Sequence, residues 1–173
     1  MRKPEDIKIG DKTLAEVIEN HKHWRNEDCE GYMRAYLRGA DLRGADLREA
    51  DLREADLSGA ENVPYIPYAC PDFGMFIGFK KASGCIVVLE IPEDAKRLSA
   101  TGRKCRCDKA KALEIQNIDG TKADITKVTS GYDPDFVYEV GKTVSVDNFC
   151  EDRWEECSSG IHFFINRQEA VNY

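Results

Sequence analysis

A five-residue period runs through residues 35–60 and limits the folds open to this part of the chain. Its leucines fall at every fifth position, and each follows an alanine by two residues; they are Leu37, Leu42, Leu47, Leu52 and Leu57. A period of five matches neither the 3.6-residue period of a helix nor the two-residue period of a strand. The chain must therefore turn in the same direction once per unit.

These units have the form A(D/N)LXX and resemble the pentapeptide-repeat family over residues 35–59. The resemblance implies a right-handed quadrilateral β-helix in which leucine points inward and four units complete one coil. Five or six units then make a stack of less than about 10 Å, given the ~4.8 Å spacing of paired strands. Extended mimicry of DNA, which the resemblance implies for longer members, is not expected from so short a coil.

A short solenoid needs a cap at each end, because its repeats bury their faces only against neighbours. The segment before the repeat predicts such a cap. Thr13 and Glu16 have the spacing of a capping box that opens a helix. One face of this helix is apolar or aromatic: Leu14, Val17, Ile18, His21 and Trp24. His21 and His23 diverge on a helix, so no metal site is predicted from them.

Composition and charge exclude several classes of protein. With 42% hydrophobic and 33% charged residues the chain has a globular composition, and its longest apolar run is far shorter than the roughly 20 residues that span a bilayer. The N-terminal residues do not have the pattern of a signal peptide, so we expect a cytoplasmic protein that does not enter membranes. The seven cysteines are interpreted as reduced thiols.

Beyond the repeat, the sequence predicts a β-rich domain. Residues 63–71 hold three of the six prolines and mark a connector. Strands are predicted at residues 75–79, 85–91, 112–118, 137–138, 143–146 and 161–165, with short helices at residues 92–99 and after Asn166. The predicted fold is α+β: residues 1–62 form the helix and repeat, residues 63–72 the connector, and residues 73–173 the mostly β domain.

The second half also resembles an uncharacterised domain of phage and bacterial proteins. The resemblance rests on Leu89-Glu90-Ile91-Pro92, on the segment 99–106 and on Cys157-Ser158-Ser159-Gly160-Ile161-His162-Phe163-Phe164. It implies a phage or prophage setting, and it carries no residue roles with it.

Two kinds of enzymatic chemistry are weighed here and not favoured. Five side chains supply candidate zinc ligands: Cys105, Cys107, Cys150, Cys157 and His162. The single residue between the first two is shorter than the spacing that structural zinc sites use. Cys157 and His162 could instead form a nucleophilic pair, but no third orienting residue is recognisable. We predict no catalytic residue, no metal and no cofactor, and both alternatives stay open.

The distribution of charge indicates binding. Residues 80–111 carry a net charge of +5 within a chain of net charge −7. The predicted binding residues are Lys96, Arg97, Arg103, Lys104, Arg106 and Lys109. The favoured hypothesis is a non-enzymatic protein that binds an anionic partner and modulates host processes or defence. The partner is a host or phage protein, a small anionic ligand such as a nucleotide-like signal, or nucleic acid. A small enzyme and a purely structural assembly module are the alternatives, and a homo-oligomer is left open.

Overall fold

Two units make up the chain in the computed structural model, which describes residues 2–26, 31–47 and 50–173. Unit 1 comprises Met1–Pro67 together with two short segments from the second half, Ala100–Gly102 and Asp152–Glu156. Unit 2 comprises the remaining residues: Tyr68–Ser99, Arg103–Glu151 and Cys157–Tyr173. Strands and two α-helices give an α+β fold, as the sequence predicts. No helix among the described residues is long and apolar enough to span a membrane.

Unit 1 begins with a single 3-10 turn and a small hairpin, β1 (Lys8–Ile9) paired with β2 (Lys12–Thr13). Helix α1 (Leu14–Arg25) follows directly, and the predicted capping box is confirmed. The Thr13 hydroxyl accepts the Glu16 amide at 3.2 Å, and the Glu16 carboxylate accepts the Thr13 amide at 2.6 Å. The Thr13 amide and hydroxyl both donate to the Glu16 carboxylate, and these two bonds lower the pKa of Glu16 because they stabilise its ionised form.

His21 joins α1 to the repeat through both nitrogens of its ring. Nδ1 accepts the Ala35 amide at 3.1 Å, so the neutral ring carries its proton on Nε2, 3.0 Å from the Arg53 carbonyl that it donates to. The Trp24 ring stacks on His21 with centroids 5.5 Å apart. Burial lowers the pKa of His21, since the charged ring would lose its hydration. His21 is thus a structural residue of the helix–repeat packing.

In the repeat, residues twenty apart pair side by side. Parallel bridges join Tyr36 to Asp56 and Asp41 to Glu61, so each bridge connects positions four units apart. The amide of the alanine that opens a unit bonds to the leucine carbonyl of the preceding unit, three residues earlier, as from Ala40 to Leu37 at 3.0 Å, and this bond closes one turn. The described part of the repeat pairs through isolated bridges and forms no closed β-helix.

The leucines form the core of unit 1. Leu37, Leu42 and Leu57 are completely buried, and Leu52 is 3% exposed. Leu47 is half-buried and packs at the edge of the cluster, just before residues 48–49, which the structure does not describe. The inward leucine implied by the resemblance therefore holds fully at four of the five positions.

Segments from the second half of the chain complete unit 1. Trp154 packs against the leucine cluster. The Glu156 carboxylate accepts the Glu54 amide at 3.0 Å, and the Thr101 hydroxyl donates to the Leu52 carbonyl. The repeat thus obtains part of its packing and hydrogen bonding from residues 49 and 102 positions further along the chain.

Unit 2 is built from antiparallel strands and one helix. Its elements are β3 (Phe76–Ala82), β4 (Cys85–Ile91), β5 (Arg97–Ser99), β6 (Cys105–Cys107), β7 (Lys109–Gln116), β8 (Lys127–Thr129), β9 (Val137–Glu139), β10 (Thr143–Ser145), β11 (Ile161–Phe163) and α2 (Arg167–Asn172). They form a four-stranded sheet in the order β10-β7-β4-β3, a three-stranded sheet β11-β6-β5 and a pair β8-β9. The helix predicted after Asn166 is confirmed, since the Asn166 side chain accepts the Gln168 amide at 2.8 Å.

The two larger sheets of unit 2 share one core. Phe79 and Phe164 exchange backbone hydrogen bonds of 2.7 and 2.8 Å, which join β3 to the residue after β11. The fully buried Phe163 ring consequently lies over Gly78. A Cβ atom at Gly78 would lie only 2.6 Å from the Cδ2 of that ring. The absence of a side chain at Gly78 is what allows this close approach.

The prediction of a helix over residues 92–99 is wrong. One turn forms there, closed by the Ala95 amide on the Pro92 carbonyl at 3.0 Å, and the chain then enters strand β5. The Arg97 guanidinium donates to the Pro92 and Glu93 carbonyls at 2.6 Å each. Ser99 pairs with Cys105 of β6. Pairing with a distant strand overrides the local preference for a helix after proline.

Candidate ligand-binding cavity

Unit 2 contains a cavity of about 650 Å³. Aromatic and apolar side chains supply one part of its wall: Phe136, Tyr138, Val146 and Tyr173. Ionisable side chains supply another: Lys80, Lys104, Asp133, Cys157 and His162. The volume lies within the range of pockets that hold small molecules, about 300–1,000 Å³.

Lys80 reaches the cavity from the core face of β3. Successive residues of a strand point to opposite faces, so Lys80 shares its face with Gly78 and Ala82, which are both buried. On the neighbouring strand it stands opposite Val87, which is completely buried. Lysine is rarely placed inward among such residues without a partner for its charge.

The Lys80 ammonium has no hydrogen-bond acceptor and no carboxylate within 4.0 Å among the residues that the structure describes. Burial lowers the pKa of Lys80, because the ammonium loses hydration, and the nearby Lys104 ammonium lowers it further. The adjacent Lys81 differs: it is exposed on the other face of β3 and donates to the Val171 carbonyl at 3.0 Å.

Lys104 is the second cation of the cavity and is 9% exposed. Its Nζ lies 3.6 Å from the Cys157 sulfur and 3.5 Å from the Tyr173 hydroxyl, and 5.5 Å above the centre of the Tyr173 ring. Among the described residues, the acidic side chain in the cavity wall is that of Asp133, which accepts the backbone amide of Asp135 at 2.9 Å.

Strand β11 and the turn before it supply the rest of the polar wall. His162 points away from Ile161 and Phe163, which are both buried, as alternation in the sequence predicts. Gly160 has a φ of 150°, a conformation suited to glycine, and a Cβ there would lie 2.3 Å from the Arg106 side chain. The turn at Gly160 can therefore pass directly over Arg106.

Arg106 supports this turn from below. It is 1% exposed, donates from Nη1 to the Ser159 carbonyl at 3.0 Å and lies 5.4 Å over the Phe149 ring. Its guanidinium thus fixes the backbone of the cavity wall and does not line the cavity.

The other predicted binding residues lie outside the cavity wall. Lys96 pairs with Glu151, and Lys109 with Asp94 at 2.6 Å. Arg103 pairs with Glu169 at 2.8 Å. Arg97 donates to backbone carbonyls, as described above. Of the six residues predicted from the sequence, Lys104 lines the cavity, and the binding role of all six stays a prediction.

Two of the thiols considered as zinc ligands lie in the core of unit 2. Cys105 and Cys107 are completely buried in β6, where their thiols lie 3.5 Å from the Arg103 carbonyl and 3.8 Å from the Ile161 carbonyl. A hydrogen bond with Cys70 raises the pKa of Cys105, and burial raises that of Cys107, whereas metal binding needs the thiolate. In the described part of the chain, no group of three or more His, Cys, Asp or Glu side chains is placed to hold a metal.

Comparison with known proteins agrees with both resemblances seen in the sequence. A family described as a family of unknown function (DUF5758) matches residues 66–170. Pentapeptide repeats (8 copies) match residues 33–61. No curated protein and no solved structure matches the chain.

Proposed function

The chain belongs to this family of unknown function, DUF5758, and from the geometry of unit 2 we propose that it binds a small anionic ligand in the cavity between Lys80 and Lys104. The observation that carries the proposal is the Lys80 ammonium, which is inward-facing and lacks an acceptor among the described residues. Binding without turnover is the favoured mode, as the sequence hypothesis holds.

Charge supports an anion as the ligand. The side chains of Lys80 and Lys104 both line the cavity, and an ammonium group is a donor for an anionic ligand. Lys80 is partly buried, so its ammonium loses part of its hydration, and a ligand that supplies hydrogen-bond acceptors offsets this loss. Phosphate and carboxylate groups both accept from ammonium donors.

The apolar part of the wall supports a ligand with a flat body. Phe136 and Tyr138 lie 5.3 Å apart in an edge-to-face arrangement, and Tyr173 faces Lys104. Burial raises the pKa of Tyr138, so its hydroxyl stays protonated and can donate to a ligand. An aromatic ring carrying a phosphate or carboxylate suits this wall.

Calorimetry with pyridoxine 5′-phosphate, an aromatic phosphate that has no carbonyl group, tests the proposal. Lys80→Met and Lys104→Met should each weaken binding by about thirtyfold or more, as expected when a desolvated charge contact is lost. Lys81→Met is the matched control, because it removes the neighbouring cation from the other face of β3. Equal affinity of Lys80→Met and Lys81→Met, or no binding at millimolar ligand, would overturn the proposal.

A small enzyme is the second candidate, because Cys157 and His162 line the same cavity and the Lys104 ammonium lies 3.6 Å from the sulfur. An activated thiolate would be alkylated at about pH 6 much faster than a free thiol such as glutathione. The binding proposal predicts no such preference.

The proposal extends to unit 1 and to the biological setting. We place the repeat as a short right-handed quadrilateral β-helix, supported by the parallel bridges twenty residues apart, with a role in assembly with a host or phage protein. The phage or prophage setting rests on the resemblance of residues 73–173 alone.

A further inference from the structure

An amine is a nucleophile only in its neutral form, and a nearby carboxylate favours the protonated form. Unit 2 contains one lysine, Lys80, whose amine lies away from such carboxylates among the described residues. Lys80 lies inward on β3, opposite the buried Val87, and no carboxylate among the described residues approaches its nitrogen within 4.0 Å. Its side chain lines a cavity large enough for a small molecule. These are the surroundings in which a lysine acts as a nucleophile.

The second cation of the cavity favours the same chemistry. Burial, and then the neighbouring Lys104 ammonium, lower the pKa of Lys80, so its neutral form is populated at lower pH than that of an exposed lysine. Lys104 itself is held near the Cys157 sulfur and the Tyr173 hydroxyl. The two lysines can therefore divide the work, with Lys104 attracting an anion and Lys80 presenting a free lone pair.

We infer that Lys80 condenses with the carbonyl group of a small anionic carbonyl compound, such as an α-keto acid or a phosphorylated aldehyde, bound in this cavity. The inference rests on the proposed anion binding and adds a covalent step to it. It names the class of ligand: an anionic group for Lys104 and an aldehyde or ketone for Lys80.

The step balances without an oxidant or a reductant. The lone pair of neutral Lys80 Nζ forms a bond to the carbonyl carbon, and the π electrons move to the oxygen. The nitrogen loses a proton and the oxygen gains one, which gives a carbinolamine. A second proton leaves the nitrogen and the oxygen departs as water, so that amine and carbonyl yield an imine and one molecule of water.

Borohydride trapping tests the inference on the full chain. Borohydride reduces an imine to a stable secondary amine, and peptide mapping by mass spectrometry then identifies the lysine. The probes are glyoxylate, which carries a carboxylate, and pyridoxal 5′-phosphate, which carries a phosphate. At neutral pH we expect Lys80 to be trapped at least about tenfold faster than Lys81, since a probe bound in the cavity is held beside the Lys80 side chain.

Three variants separate reactivity from folding. Lys80→Arg keeps the charge and cannot form the imine, so trapping at this site should disappear while circular dichroism stays unchanged. Lys104→Met should slow trapping at Lys80 by about tenfold or more, because the anion loses its contact. Lys81→Met should leave the rate at Lys80 unchanged. Trapping spread over exposed lysines, or concentrated on Lys104, would overturn the inference.

The non-carbonyl analogue distinguishes this failure from failure of the proposed function. If pyridoxine 5′-phosphate binds and pyridoxal 5′-phosphate is not trapped at Lys80, the cavity binds anions and the covalent step is refuted. If Lys80 is trapped by both carbonyl probes while the analogue does not bind, the amine chemistry stands and the anion-binding proposal fails.

Discussion

Substitution of Gly78 by alanine should destabilise unit 2 through a single steric contact. The new Cβ would lie 2.6 Å from Phe163 Cδ2, whereas ordinary contacts of a Cβ begin at about 3.4 Å. Phe163 is completely buried, so its ring cannot move away without disturbing the core. Overpacking of this kind costs about 1–3 kcal/mol. For a unit of roughly 100 residues this corresponds to a fall in melting temperature on the order of 5–15 °C.

Calorimetric melting of three variants measures this contact. Gly131→Ala is the matched control, because its Cβ would meet only the Ser83 amide nitrogen, at 3.9 Å, and its stability should stay within about 0.5 kcal/mol of the wild type. In the double variant Gly78→Ala with Phe163→Leu, the smaller side chain leaves room for the Cβ. Its loss of unfolding free energy should therefore be smaller than the sum of the losses in the two single variants, by about 0.5 kcal/mol or more. Strict additivity, or a melting temperature of Gly78→Ala equal to that of the control, would refute the proposed contact.

Three further predictions concern the repeat and two titrating residues. Leu42→Ala should cost about 2–5 kcal/mol of unfolding free energy and the half-buried Leu47→Ala clearly less, as measured by urea denaturation. His21 has a lowered pKa, so below about pH 6.5 the unfolded chain takes up a proton that the folded chain does not. The free energy of unfolding should therefore decrease as the pH is lowered below about 6.5. A His21→Gln variant should lack this pH dependence. Lys80 also has a lowered pKa, so the wild type should be less stable than Lys80→Met at pH values below the pKa of Lys80 in the folded chain. This difference in unfolding free energy should disappear as the pH rises toward about 10.4, the ordinary lysine pKa. Denaturation across that pH range measures it.

Local features of the chain were predictable from the sequence. The capping box at Thr13 and the helix after Asn166 depend on residues within one turn of each other. The five-residue period predicted the repeat because each unit makes the same short-range turn. Strand β4 was predictable because its apolar run is continuous and long enough to identify.

Features that depend on distant pairing were not predictable in the same way. Strand β5 pairs with β6, and the bonds from the Arg97 side chain that hold the preceding turn exist only in the folded chain. Sequence separation also hid the cavity, since Lys80 and Tyr173 are almost 100 residues apart. Alternation along β3 was the available signal for Lys80, which shares its face with Gly78 and Ala82. That signal was masked by the adjacent Lys81, because two successive lysines look like the charged end of a strand.

The division of unit 1 among distant segments has a consequence for synthesis on the ribosome. Trp154 and Glu156 belong to unit 1, whose other long segment ends at Pro67. At a translation rate of about 5–20 residues per second, some 4–18 s pass between the appearance of Pro67 and that of Glu156. During this interval the leucine cluster lacks its Trp154 contact and Glu54 lacks its carboxylate partner. The N-terminal half therefore cannot finish folding first, and its last native contacts form only after most of the second half has been made.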